Sequence, residues 1–140
     1  MSTPGRGPRT IRLMDGNQID ELADEYFRAA SAHDYDALRA MFAPGGVAWS
    51  NAGGGERDID ALIAFMPVMR QTIGDHAYSE IRRLVTSDGF CEQHRVTSVR
   101  PDGSTLDLGD VCCVVRLDDK GKITRFDEYL DTHAVRKALS

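Results

Sequence analysis

From His76 onward the apolar residues of this chain recur with a period of two, and they keep that period to Asp131. No other feature of the sequence limits the fold as much. The run divides into four segments, 76–85, 90–100, 105–117 and 122–131. Between them lie Ser87-Asp88-Gly89, Pro101-Asp102-Gly103 and Asp119-Lys120-Gly121. Each joint is too short for a crossover and is made of turn residues, so consecutive strands must return alongside one another. An antiparallel meander of four long strands is expected.

Ahead of the meander the period is helical. Asp15, with Gln18 three residues on, forms a capping box. Ile19, Leu22, Ala23, Tyr26, Phe27 and Ala30 follow at helical spacing, predicting an amphipathic helix to about Ala32. Asp34 caps a second, short helix with Leu38, Met41 and Phe42 on its apolar side, ended by Pro44-Gly45-Gly46. Residues 47–50 read as a short strand and 51–56, with three successive glycines, as a flexible loop. Asp58 caps a third helix with Ile59, Leu62, Ile63 and Met66 inward, which Pro67 is expected to kink or end. After residue 131 only a short apolar tail remains. Helices first and strands afterwards predict an α+β domain. No repeat or linker divides residues 15–140, and 140 residues suit one hydrophobic core. Residues 1–14, where Arg6, Arg9 and Arg12 sit among Gly, Pro and Thr, read as a disordered tail.

Charge narrows the partners. A net charge of −5 argues against nucleic acid, which needs a basic stripe. No segment is long enough to span a membrane, and the N-terminus lacks the apolar core of a secretory signal, so a cytoplasmic location is expected. Cys91, Cys112 and Cys113 are odd in number and lack metal-type spacing. They read as small apolar fillers in a reducing compartment, with Cys112 and Cys113 on opposite faces of a strand. Neither a metal nor a cofactor is expected.

The last strand, 121–131, reads GKITRFDEYLD. Strict alternation puts Ile123, Arg125, Asp127, Tyr129 and Asp131 on one face and Thr124, Phe126, Glu128 and Leu130 on the other. The first face is polar at four of its five positions. It either meets water or lines a pocket.

The order of elements, with KITRFDEYLD near the C-terminus, resembles the nuclear transport factor 2-like superfamily, and within it the SnoaL-like and limonene epoxide hydrolase-like branch. The resemblance spans about Gln18 to Thr132. It implies a cone, in which a curved antiparallel sheet wraps around a pocket covered by N-terminal helices, with the row ending in Asp131 pointing inward. FDEYLD is similar to the strand end that carries the water-activating Asp of limonene epoxide hydrolases, which implies that role for Asp131. Trp49-Ser50-Asn51 matches that family's Tyr-x-Asn, with Asn51 kept and Trp49 in place of the Tyr. Arg95-Val96-Thr97 matches its Arg-x-Asp, with Arg95 kept and Thr97 in place of the acid. A threonine hydroxyl is a poor acid near neutral pH, so little epoxide hydrolysis is expected. Resemblance to ketosteroid isomerases implies an oxyanion-donor role for Tyr26, while their base falls on Asn51, which takes no proton. Resemblance to SnoaL-like polyketide cyclases offers Asp131 and His94 as candidates.

The implied catalytic set is therefore Asp131, Arg95 and Asn51, with Trp49, Tyr26, Thr97, Tyr129 and Asp127 as pocket residues. Asp131 and Arg95 could also be a plain structural ion pair. His94 alternates with Arg95, so the two face opposite ways, and His94 reads as an exposed or interface residue. His33 and His76 read as solvated, and His133 as a surface residue near the pocket mouth. Asp110 lies in an apolar strand and needs a partner, at an interface or a sheet edge. The expected function is acid–base chemistry without a cofactor on a small apolar polyketide- or terpenoid-like molecule: isomerisation, cyclisation, dehydration or water addition. The rival is a non-catalytic domain that only holds a ligand or partner. The resemblance further implies a homodimer.

Overall fold

The computed structural model describes residues 14–140, so Arg6, Arg9, Arg12 and the rest of the expected tail up to residue 13 lie outside the described residues. The elements are α1 (Gly16–Ala32), α2 (Tyr35–Met41), β1 (Phe42–Ser50), β2 (Arg57–Asp58), α3 (Ile59–Ile73), β3 (Asp75–Val85), β4 (Gly89–Val99), β5 (Thr105–Leu117), β6 (Ile123–Leu130) and α4 (Thr132–Leu139). The six strands form one curved, open sheet in the order β2-β1-β6-β5-β4-β3. Strands β3 to β6 are the expected antiparallel meander, and β1 joins β6 in parallel.

The capping box of α1 is formed. The Asp15 carboxylate accepts the Gln18 N–H at 2.9 Å, and Gln18 Oε1 accepts the Asp15 N–H at 2.8 Å. The helix ends at His33, in the left-handed region with φ 58°. Its buried stripe of Ile19, Ala23, Tyr26, Phe27 and Ala30 lies on the concave face of the sheet. Tyr26 stacks on Phe126 of β6 at 4.5 Å between centroids. Phe27 meets Tyr78 of β3 edge-on at 5.0 Å and Phe90 of β4 at 6.5 Å. Burial of each such ring contributes roughly 1.5–3 kcal/mol. This layer holds the core, with α1 over β3 and β4 and α2 against β1.

Three local expectations are corrected. The strand expected from Val47 begins at Phe42, because Pro44-Gly45-Gly46 is an irregularity within β1 and not a loop. A Cβ at Gly46 would stand 2.6 Å from the Ile123 carbonyl oxygen, so only glycine lets the two backbones approach there. Helix α3 continues through Pro67 to Ile73. It has no fully buried residue, so solvent can satisfy the Ile63 carbonyl that Pro67 has no N–H to reach. The expected tail is helix α4, capped by Asp131, with Arg136 and Lys137 in the last turn, where cations suit the helix dipole.

Bulges decide which side chains face the core. Arg116 pairs with Arg125 but Leu117 pairs with Ile123, so Thr124 is an extra residue in β6. An extra residue reverses the side-chain parity beyond it. The inward residues of β6 are consequently Ile123, Phe126 and Glu128, while Arg125, Asp127 and Tyr129 lie on the convex face. Of the polar row expected from Ile123 to Asp131, Arg125, Asp127 and Tyr129 do share a face, but it is the convex one; Ile123 points inward and Asp131 lies past the strand as the cap of α4. A second irregularity falls between Ser79 and Arg82 of β3, where Glu80 has φ 53°. It lets both Tyr78 and Arg83 face inward.

Candidate active site

The concave face carries a polar row straight across the sheet. Arg83 of β3 pairs with Glu92 of β4, Glu92 with Cys113 of β5, Cys113 with Glu128 of β6, and Glu128 with Ser50 of β1. One step along, His94 lies beside Val111, and Val111 beside Leu130. Tyr78 and His76 of β3 pair with Val96 and Ser98 of β4. Strand alternation and the β3 bulge thus place a glutamate–histidine pair, Tyr78 and a second glutamate beneath α1, whose own Tyr26 is buried against the same face.

Glu92 and His94 are the best-defined members. Their side chains are 0% and 1% exposed, and His94 Nδ1 lies 2.6 Å from Glu92 Oε2. A carboxylate at Nδ1 favours the tautomer with its proton there, which leaves a lone pair at Nε2. Nε2 is buried and has no protein partner. The imidazole meets Tyr78 edge-on at 4.7 Å and Phe27 at 5.0 Å. The Tyr78 hydroxyl lies 2.8 Å from His76 Nε2. An oriented imidazole with a free nitrogen in an aromatic interior is equipped to move a proton.

The surrounding groups are tuned as proton holders. Burial raises the Glu128 carboxyl, partly offset by His94 nearby. Burial, then the Glu128 charge, pushes Tyr26 well above its ordinary range. Tyr78 moves the same way for the same two causes. The His76 imidazole is lowered by burial and then by His33, which favours its neutral form. Both phenols therefore remain hydrogen-bond donors. Cys113 is also raised well above its ordinary range, first by burial, and is no ready nucleophile. Among the described residues no group of three His, Cys, Asp or Glu side chains is arranged to hold a metal ion.

Of the implied catalytic and pocket set only Tyr26 lies in this interior, together with His94, the candidate offered by the polyketide cyclase resemblance. Arg95 is on the convex face, bonded to Asp107 at 2.5 Å and to Asp110 at 3.4 Å. Asp131 is exposed and accepts the Ala134 N–H at 2.9 Å as the cap of α4. Neither a hydrogen bond nor an ion pair joins Asp131 to Arg95. Asn51 is exposed, with its amide spent on the Leu130 backbone, donating to the carbonyl at 3.1 Å and accepting the N–H at 2.8 Å. Trp49 lies edge-on to Tyr129 at 5.3 Å. It pairs with Asp127 on the convex face, where Asp127 accepts from Arg125 at 3.1 Å. Thr97 is exposed, two residues along from Arg95 on the same face. The expected Asp131–Arg95–Asn51 cavity is therefore not assembled.

His94 does face away from Arg95 as alternation requires, but that direction is the core, so its expected exposure is corrected. His33 is not solvated either: its ring lies 3.0 Å from the Asp75 carboxylate, with the side chain 13% exposed. His76 is half-buried and His133 exposed. Asp110 finds its partner in Arg95. Cys112 and Cys113 do take opposite faces, and the three thiols are unpaired. The signal for the real pair was available in Glu92-x-His94, set at a period of two between Phe90 and Val96.

The SnoaL-like domain model matches residues 23–126, most of the chain. Three solved structures share the fold. One, assigned as a polyketide cyclase from Xanthomonas campestris, is 20% identical, with 89% of this chain and 98% of that one covered and a TM-score of 0.78. Another, from Jannaschia sp. CCS1 and assigned as a SnoaL-like polyketide cyclase, is 23% identical over 89% and 93% of the two chains, with a TM-score of 0.75. The third is a nuclear transport factor 2-like protein of unknown function from Burkholderia pseudomallei, 17% identical over 91% and 99%, with a TM-score of 0.76. No curated protein matches the chain. A six-stranded sheet closed by N-terminal helices and a family match over residues 23–126 lead to one assignment: this chain belongs to the SnoaL-like domain family of the nuclear transport factor 2-like superfamily.

Proposed function

We propose that the protein is an acid–base enzyme without a cofactor, acting on a small, largely apolar molecule of the polyketide type. The observation that carries this reading is the buried His94 Nε2, free of protein partners, on an imidazole held by Glu92. In this reading Nε2 removes a proton from a carbon next to a carbonyl, and Glu92 stabilises the imidazolium that results. The Tyr26 and Tyr78 hydroxyls donate to the developing enolate oxygen. The imidazolium then returns the proton to carbon, completing an isomerisation, or the enolate attacks a second carbonyl, closing a ring, and the imidazolium protonates the alkoxide formed. The aromatic surround of Phe27, Phe126 and Tyr78 suits an unsaturated substrate. The assignments of two structural relatives as polyketide cyclases agree with this substrate class. We further place the protein in the cytoplasm as a homodimer that pairs through the convex face.

The test is turnover of a panel of aromatic poly-β-keto esters by the native protein, His94→Gln and Glu92→Gln, with melting temperature measured beside activity. Loss of a general base lowers the rate about 10²–10⁴-fold. Undiminished turnover by folded His94→Gln would remove His94 from the reaction. Tight binding of the panel without turnover by the native protein would make this a holding domain.

A further inference from the structure

Glu92 is a buried carboxylate with two basic neighbours, and the proposed chemistry uses only one of them. Oε1 accepts Arg83 Nε at 2.7 Å and lies 2.5 Å from Arg83 Nη2, a two-pronged grip. Oε2 faces His94 Nδ1 at 2.6 Å. The Arg83 side chain is only 10% exposed. Beyond Glu92 its Nη1 reaches α1, donating to Asp20 Oδ1 at 2.5 Å, to the Asp20 carbonyl at 3.1 Å and to Asp24 Oδ1 at 2.9 Å.

We propose that Arg83 is a positioning residue of this site, taking up the charge of Glu92 so that His94 stays a neutral imidazole with a bare Nε2. The inference rests on the function proposed above. A buried carboxylate facing an imidazole alone would draw a second proton onto it, making an ion pair and removing the lone pair that acts as base. With Arg83 in place the carboxylate is already compensated and needs from His94 only a hydrogen bond. Asp20 and Asp24 do not cancel this effect. Their side chains are 54% and 70% exposed, so water screens them, and they fix the guanidinium instead of neutralising it. The other titratable groups facing His94 are Tyr78 and His76 from β3, Tyr26 from α1, Cys113 from β5 and Glu128 from β6. Burial favours the neutral forms of the phenols, the thiol, Glu128 and His76 alike, and Arg83 is the cation that grips Glu92 directly. The arrangement depends on the β3 bulge at Glu80, since without its extra residue Arg83 would face the opposite way.

The experiment follows the His94 ring nitrogens by ¹⁵N NMR against pH, together with the pH–activity profile. The variants are Arg83→Gln, Arg83→Lys, the double variant Asp20→Asn/Asp24→Asn, and Glu92→Gln with and without Arg83→Gln. Arg83→Gln keeps a donor but removes the charge. It is expected to extend the doubly protonated imidazole to higher pH and to carry the rising limb of activity with it, a loss of roughly tenfold for each pH unit moved. Arg83→Lys is expected to restore most of the native behaviour. The Asp20/Asp24 variant is expected to lower the melting temperature and leave the limb in place, which separates anchoring of α1 from control of charge. In the Glu92→Gln background, where no charge remains to compensate, adding Arg83→Gln is expected to change the His94 spectrum little. That pair also stands in if Arg83→Gln alone fails to fold, because the double variant leaves no buried charge unpaired. A large further change there, or a native His94 titration in folded Arg83→Gln, overturns the proposal. A shifted spectrum alongside full turnover by His94→Gln would instead overturn the proposed function and leave the role of Arg83 standing.

Discussion

At the residue scale, what a side chain can do here follows from which face of the sheet its strand gives it. Glu128 shows this most directly. Burial raises its carboxyl above the ordinary value of 4.5, so the folded chain keeps the proton to higher pH than the unfolded chain does. The stability it contributes is complete below the ordinary value and is lost as pH rises through the raised one. Glu128→Gln is expected to flatten the fall in melting temperature over that window and to raise the melting temperature above it. Thermal melts in a pH series check this, and an unchanged slope would mean that the carboxyl is hydrated. Thr97 gives the opposite case. It is exposed on the convex face, so Thr97→Asp, with or without Trp49→Tyr, is expected to leave hydrolysis of small epoxides no better than native. A measurable gain in that assay would show a second reactive centre on the convex side.

At the scale of elements, two residues matched to family catalytic positions are joints of the fold. The Asn51 amide extends the parallel pairing of β1 with β6 by two bonds to Leu130. Asn51→Ala is expected to cost about 1–2 kcal/mol, from two solvent-accessible hydrogen bonds. Asp131 caps α4, and that helix packs against β5, where a Cβ on Gly109 would stand 2.9 Å from Ala134 Cβ. Asp131→Ala is expected to cost about 0.5–2 kcal/mol, whereas Asp131→Asn, which still caps, costs little. Urea midpoints measure both effects. Turnover by folded Asp131→Asn is expected to match the native protein, and a selective loss of activity would return Asp131 to the chemistry. The sequence carried the signal for this cap in Asp131-Thr132 ahead of a helical stretch. It was masked by the match to a catalytic strand end, because the same carboxylate suits either role until its neighbours are known.

At the scale of the whole molecule, the sheet has one face under α1 and one without a covering helix. Leu84, Cys91 and Val114 are successive neighbours across three strands on the convex side, and Leu84 is 67% exposed. An apolar stripe of that kind suits the homodimer proposed above. Leu84→Asp is expected to yield monomers by analytical ultracentrifugation without lowering the melting temperature of the fold itself. A native protein that sediments as a monomer at high concentration would remove the dimer from the reading. What the sequence determined alone was the plan: the helices ahead of the strands, the meander, the helix caps and turns, and the superfamily. The elements follow from periodicity and local chemistry, which each segment carries within itself, and the superfamily from the resemblance of their order and of KITRFDEYLD. The tertiary structure decided the faces. The extra residues at Thr124 and near Glu80 reverse alternation beyond them, and a strand pattern read in isolation does not show where the partner strand has one residue fewer. Asp127 and Tyr129 went to the outside of β6, while Arg95 went outside by plain alternation with the inward His94. Glu92, His94, Arg83 and Glu128, which are four unremarkable polar residues in the linear chain, came together beneath α1.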